Sequence, residues 1–270
     1  MRPRLLRFGT AIAAALILAG SVVFGQGGRP SLSGSTFATM DRFDGSFQFC
    51  RVFFRGAANG DGGDWRVDWP RADQNLSIRI SELTRTPVSF DDTNEPNHLV
   101  VQLTQPELFH CPFIMMTEVG NIYLDDEGAE NLRNYLLKGG FLWADDFWGE
   151  YAWAIWESQI RKVLPSTTHP IIDLPMDHTL FNQFLTVKKF PQIPSIGVAR
   201  GGRTWERDDA RDPHARAILD KDGRIMVLIT HNTDFGDSFE REGDDPEYFR
   251  TMSVPGYSFG INVLVYAMTH

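Results

Sequence analysis

Two carboxylates close an apolar stretch and a third follows four residues later, in Asp145-Asp146-Phe147-Trp148-Gly149-Glu150. Paired acids at the end of a buried strand can hold a divalent cation or work as acid and base. The competing account is helix capping, in which Asp146 satisfies free N–H groups and gains from the helix dipole. Capping explains one aspartate well and the second poorly. A second group, His231-Asn232-Thr233-Asp234, follows the apolar run 224–230. A histidine there can ligate a metal or shuttle protons, and it can equally be a hydrogen-bonded loop residue. Asp145, Asp146, Glu150 and His231 are therefore the candidate acid–base centre. Asp146 and His231 are the candidate metal ligands.

Two further stretches carry weaker signals. Asp177-His178 precedes Leu180-Phe181, and residues 200–214 form a charged loop containing Trp205-Glu206-Arg207. Such a loop can be a lid over a site or plain solvated surface. The glycine-rich loop 56–63 lacks the Lys-Ser/Thr ending of a phosphate loop. No H-E-x-x-H or cysteine-rich zinc pattern is present. No G-x-S-x-G or G-x-C-x-G nucleophile elbow is expected anywhere in the chain. Neither Cys50 nor Cys111 follows a strand, which speaks against a cysteine nucleophile.

The elements that must position these residues alternate. Residues 47–54, 99–103, 113–116, 141–144, 184–189, 215–219 and 224–230 read as strands. Leu76, Ile80 and Leu83 recur at helical spacing behind Asp73, a plausible N-cap. Asp125 or Asp126 starts an amphipathic helix that stops at Lys138-Gly139-Gly140. Residues 148–164 and 259–268 read as two more helices. Asp222-Gly223 signals a hairpin between the last two strands. Apolar strands alternating with helices predict a mostly parallel sheet covered on both faces. Ligands bind such sheets beyond the carboxyl ends of the strands, where both candidate groups fall.

The first 25 residues read as a secretory signal peptide. Arg2, Arg4 and Arg7 precede the apolar run 11–20, and small residues lead to Gly25. The run is short for a membrane span, although an uncleaved anchor would read similarly. Residues 26–45 read as a flexible leader and 46–270 as one domain. The expected location is periplasmic or secreted, with membrane contact only if the N-terminal segment stays uncleaved. The chain's net charge of −9 becomes −12 once the three leader arginines are removed. That charge excludes nucleic acid as a natural partner and suits neutral or cationic ligands and divalent metals. In an oxidising compartment the two cysteines can pair, and an unlinked buried pair is the alternative.

The run 131–143, which includes Lys138-Gly139-Gly140-Phe141-Leu142-Trp143, resembles the helix–Gly-Gly–strand unit of class I glutamine-amidotransferase-like domains. The likeness is to their trehalose-utilisation (ThuA-like) branch. Asp177-His178-Thr179 resembles that branch's Asp-His-Pro segment. Gly223-Arg224-Ile225-Met226-Val227, leading to His231, resembles its Gly-Arg-Val strand. More fully, residues 139–150, Ile229-Thr230-His231-Asn232-Thr233-Asp234 and Tyr266-Ala267-Met268-Thr269-His270 resemble a bacterial family, domain of unknown function number 4159. That family brings no known activity with it. The likeness implies a single-domain, flavodoxin-like three-layer α/β sandwich. Asp146 falls where amidotransferases carry their nucleophilic cysteine, so the amidotransferase reaction is denied. In that topology the first and third strands are neighbours, and a Cys50–Cys111 disulfide at the end opposite the crevice is expected.

The functional expectation is an exported hydrolase or lyase acting on a carbohydrate-type ligand. Asp145, Asp146, Glu150 and His231 would do the chemistry. Trp148, His178, Trp205, Glu206, Arg207, Asn232 and Asp234 would line the ligand site, with a divalent metal as the possible cofactor. The alternative is a non-catalytic ligand-binding or assembly module on the same fold.

Overall fold

The computed structural model describes residues 37–270. The expected signal peptide and the first part of the expected leader lie outside the described residues. Among the described residues the strands are β1 (Phe49–Phe53), β2 (Arg55–Gly56), β3 (His98–Gln102), β4 (Ile114–Thr117), β5 (Ile122–Tyr123), β6 (Leu142–Asp145), β7 (Ile171–Asp173), β8 (His214–Leu219) and β9 (Ile225–His231). The helices are α1 (Arg71–Thr84), α2 (Asp126–Leu137), α3 (Gly149–Val163), α4 (Ile196–Arg200), α5 (Phe235–Glu240), α6 (Pro246–Tyr248) and α7 (Val254–Thr269).

Seven strands make one sheet in the order β3-β1-β4-β6-β9-β8-β7, and β2 pairs with β5 apart from it. The pairs β3–β1, β1–β4, β4–β6 and β6–β9 are parallel. The pairs β9–β8 and β8–β7 are antiparallel. Parallel strands covered on both faces read as continuous apolar runs. Every residue of β6 and β9 is buried accordingly. Alternation splits their side chains between two cores. Leu142 and Ala144 join Leu132, Leu136, Trp156 and Ile160 of α2 and α3 on one face. Trp143 joins Leu76, Phe235, Phe239 and Phe259 of α1, α5 and α7 on the other. The molecule is thus a mixed α/β domain with a mostly parallel central sheet and helices on each side.

The amino-terminal ends of β1 and β4 are tied by a disulfide, Cys50–Cys111, whose Cα atoms are 6.2 Å apart. It lies at the end of the sheet opposite the strand exits, as expected. Residues 37–45, the last part of the expected leader, lie on the domain. Phe37 bridges to Val100 of β3, Ala38 donates its N–H to the Val100 carbonyl at 2.9 Å, and Ala38 is buried. The edge that β3 would otherwise expose is thereby partly covered.

Three local expectations are corrected. Residues 184–189 are a loop, not a strand. Their backbone groups bond to a side chain buried in α7: the N–H groups of Phe184 and Leu185 donate to Asn262 Oδ1 at 3.0 and 2.7 Å, and Asn262 Nδ2 donates to the Leu185 carbonyl at 2.7 Å. Asp73 lies inside α1, where it pairs with Arg51, while the N-cap position is Pro70. The string Gly256-Tyr257-Ser258-Phe259-Gly260 has the spacing of a nucleophile elbow, yet it lies within α7. Ser258 Oγ donates to the Val254 carbonyl at 2.9 Å, so it is a helix residue with no strained turn to expose it.

Candidate functional site

Three adjacent parallel strands end in the same way. The residue directly after β4 is Glu118 (φ 55°), after β6 Asp146 (φ 54°), and after β9 Asn232 (φ 62°). All three are left-handed without being glycine. Asn and Asp tolerate this conformation, and Glu does so less readily. Such residues cost about 1–3 kcal/mol each and collect at functional sites. Asp68, in the segment before α1, is also left-handed (φ 61°).

A cavity of about 400 Å³ opens at these strand exits. Its lining includes seven carboxyl side chains: Asp68, Glu118, Asp146, Glu206, Asp234, Asp237 and Glu240. Among the described residues Arg241 is the single basic one lining it. Arg241 is already engaged, with Nε 3.3 Å from Asp237 Oδ1 and Nη2 2.8 Å from Glu240 Oε2.

The two neighbouring aspartates part company. Asp145 ends β6 pointing toward α5. Its Oδ2 accepts from the N–H groups of Phe235 and Gly236 at 2.9 and 3.3 Å, and its Oδ1 accepts from the Thr230 hydroxyl. It caps a helix, but the helix is α5. Asp146 faces the crevice and accepts from Trp148 Nε1 at 3.2 Å. It does not cap α3: the N–H of Gly149 donates to Asn232 Oδ1 at 2.9 Å and that of Glu150 to Asp209 Oδ2 at 3.1 Å. Helix capping therefore accounts for Asp145 and not for Asp146, whose side-chain partner is the Trp148 indole.

The other acids come from loops and helix ends. Glu118 is sheathed by the glycine-rich loop. A Cβ on Gly62 would lie 2.0 Å from Glu118 Oε2, and Gly62 is itself left-handed (φ 103°). Those glycines, which spell no phosphate loop, serve a carboxyl group. Asp234 caps α5 through its Oδ1, which accepts from the Asp237 N–H at 2.8 Å. Asp237 Oδ2 accepts from the Ile196 N–H at 3.2 Å. Glu206 Oε1 accepts from the Ser195 N–H at 2.7 Å. Asp68 Oδ2 is buried with no hydrogen-bond partner among the described residues. Asp68, Asp234 and Asp237 each bring one oxygen within 4.8 Å of the others, which is close enough to share a cation.

Crowded, desolvated carboxyl groups hold protons. Burial pushes Glu118 up to about 7, helped by the Glu206 charge and opposed by the Gly63 N–H. Burial pushes Asp237 up to about 6, with Arg241 opposing and Glu240 helping. Asp145 is pushed up to about 7 by burial, with the Thr230 hydroxyl holding it back. Burial also raises Asp68, Asp146 and Asp234 well above the ordinary range. The largest added charge is Asp237 for Asp68, Glu118 for Asp146, and Asp146 for Asp234.

A pH dependence follows. The folded protein keeps a proton on Glu118 that the unfolded chain releases from the ordinary value of 4.5 upward. The native state then binds more protons than the unfolded one, so stability falls as pH rises. In the presence of a chelator the Tm should drop between about pH 4.5 and 7, and Glu118→Gln should flatten part of that slope. A slope left unchanged by Glu118→Gln would show that Glu118 is not proton-loaded.

The remaining predicted residues are placed as follows. His231 is on the face of β9 opposite Thr230 and Asp145. Its ring packs on Phe147 and Trp153, with centroids 4.7 and 5.1 Å away. Its Nε2 lies 3.1 Å from the Gly149 carbonyl and its Nδ1 3.3 Å from Arg216 Nη1. Burial pushes it down to about 3, so the ring is neutral. It lines no part of the acidic crevice. Glu150 is exposed on α3. Trp148 is only 4% exposed, so its ring offers no open face to a sugar. His178 is remote, its Nδ1 accepting from the Leu180 N–H at 3.2 Å and its ring near Tyr266. Trp205 carries Arg211 over its ring at 5.2 Å. Arg207 pairs with Asp61 and so ties the charged loop to the glycine-rich loop. Asn232 is a strut, donating Nδ2 to the Asp212 carbonyl at 2.9 Å. Of the predicted set the crevice keeps Asp146, Glu206 and Asp234. It adds Asp68, Glu118, Asp237 and Glu240. Only Glu118, one residue past a strand, was findable by the strand-end rule.

No curated protein matches the chain. The family described as Domain of unknown function (DUF4159) matches residues 52–268, and the chain belongs to that family.

Proposed function

We propose that the protein is a periplasmic or secreted hydrolase or lyase that acts on a carbohydrate-type ligand in this strand-end crevice, with Glu118 and Asp146 as its acid–base pair. The observation that carries this is Glu118 itself. It is a carboxyl group in left-handed backbone, lining the cavity, pushed up to about 7. A carboxylic acid that holds its proton near neutral pH can protonate a departing oxygen. The Glu118 charge is the largest neighbouring contribution raising Asp146, so ionisation of one disfavours ionisation of the other. In hydrolysis the protonated member gives its proton to the leaving oxygen, and the charged member takes one from the attacking water.

Ligand class follows from the lining. A crevice lined by seven carboxyl groups disfavours anions and suits a molecule rich in hydroxyl groups, which donate to charged carboxylates and accept from protonated ones. The parallel strands run second-first-third-fourth-fifth across the sheet, the flavodoxin-like order, in which ligands sit at the strand exits. Amidotransferase chemistry has no nucleophile here, since both cysteines are spent in the disulfide at the other end. That disulfide also suits an oxidising compartment.

The test is incubation with a panel of neutral and acidic oligosaccharides, followed for new reducing ends and for unsaturated products. Cleavage is expected, and Glu118→Gln should lower kcat roughly 10²- to 10⁴-fold with an unchanged circular dichroism spectrum. Saturable glycan binding without product would favour the binding-module reading. Neither binding nor product on any member would overturn both.

A further inference from the structure

We propose that Asp68, Asp234 and Asp237 form a binding site for one hard divalent cation within the crevice.

Geometry comes first. The three carboxylates each present an oxygen within 4.8 Å of the other two. Ligand oxygens on one Ca²⁺ stand at about 2.3–2.6 Å from the ion, so two on opposite sides are about 5 Å apart. The three oxygens can therefore share one ion with little adjustment. They come from separate parts of the chain, the segment before α1 and the first turn of α5, so the site exists only in the folded protein.

Asp68 supplies the independent reason. Its side chain lines the cavity and the residue is only 7% exposed. Its Oδ2 is fully buried and receives no hydrogen bond from the described residues. A buried carboxylate oxygen without a donor is costly and is not retained for packing alone. No ion pair joins Asp68 to a neighbouring cation among the described residues: Arg51 pairs with Asp73, and Arg241 pairs with Glu240 and with Asp237, itself one of the three acids. The fold also clears space for this oxygen, since a Cβ on Gly236 would stand 2.1 Å from Asp68 Oδ2.

Donor chemistry selects the ion. All three ligands are carboxylate oxygens, and among the described residues no histidine or cysteine lines the cavity. Oxygen-only sites suit Ca²⁺, Mg²⁺ or Mn²⁺ over Zn²⁺ or Cu²⁺. Three protein oxygens leave coordination positions for water or for ligand hydroxyls. The cation's use in orienting a glycan rests on the proposed crevice function; its binding does not.

The test uses the purified protein, treated with EDTA, dialysed, and titrated calorimetrically with CaCl₂, MgCl₂ and MnCl₂, with Tm measured in parallel. At least one ion should bind with 1:1 stoichiometry and raise the Tm. Asp68→Asn keeps shape and tolerates the left-handed backbone. It should fold with an unchanged or higher Tm in EDTA and lose the cation response. Gly236→Ala leaves every charge in place but displaces the carboxylate, and should weaken binding roughly 10- to 100-fold. No heat and no Tm change with any ion at millimolar concentration would overturn the site. So would wild-type affinity in both variants, since Asp68 would then be satisfied by Arg51 or water instead. Cation binding without glycan turnover would sink only the proposed reaction. Turnover that persists in EDTA would sink only the cation's part in orienting the glycan.

Discussion

Arg51→Met should lower the unfolding free energy by about 3–5 kcal/mol, the largest cost expected from a single polar substitution here. Arg51 lies on β1, which β3 and β4 flank, and both it and Asp73 are fully buried. The guanidinium holds both carboxylate oxygens, through Nη2 to Oδ1 and through Nε to Oδ2 at 3.3 Å, and it packs near the Phe49 ring. Methionine fills similar volume but leaves Asp73 charged and unpaired in the core. The cost is thus that of the orphaned acid, not of the pair. Replacing both, Arg51→Met with Asp73→Leu, should recover most of the loss, because a buried ion pair and a well-packed apolar pair are often near equal. Urea unfolding at constant slope measures both variants. A single-variant loss below about 1 kcal/mol would mean that water reaches Asp73.

The second large effect concerns the disulfide. Cys50 and Cys111 are 61 residues apart in sequence. Closing a loop of that length removes enough entropy from the unfolded chain to contribute about 4 kcal/mol. Cys50→Ala with Cys111→Ala should therefore unfold at a lower denaturant midpoint by that order, and the reduced wild type should behave like the variant. The bond lies at the amino ends of β1 and β4, away from the crevice, so cation binding should persist wherever the variant is folded. Loss of stability under about 1 kcal/mol would show that the unfolded chain is already compact there.

The fold was largely legible because its signals are local. Continuous apolar runs at 141–144 and 224–230, and the Gly139-Gly140 stop after an amphipathic helix, each encode an element without help from the rest of the chain. The expected strand at 184–189 misled for the opposite reason. Its backbone partners belong to Asn262, 77 and 78 positions away, and no local pattern announces that. His231 misled through strand alternation. It ends β9, but its ring packs on Phe147 and Trp153 and lines no part of the crevice.

By itself the sequence determined a mostly parallel α/β domain and acids at its strand exits, Asp146 and Asp234 among them, while the pairing of Cys50 with Cys111 was what the family likeness implied. These depend on periodicity, on chain connectivity and on where parallel sheets bind ligands. Only the tertiary structure decided which of Asp145 and Asp146 caps a helix, since the helix in question lies 90 positions further along the chain. It alone also brought Asp68, Glu118, Asp237 and Glu240 to one cavity. Each is an ordinary surface-type acid in sequence. What makes them a site is desolvation and mutual repulsion, which arise only when separate segments are packed around the same space.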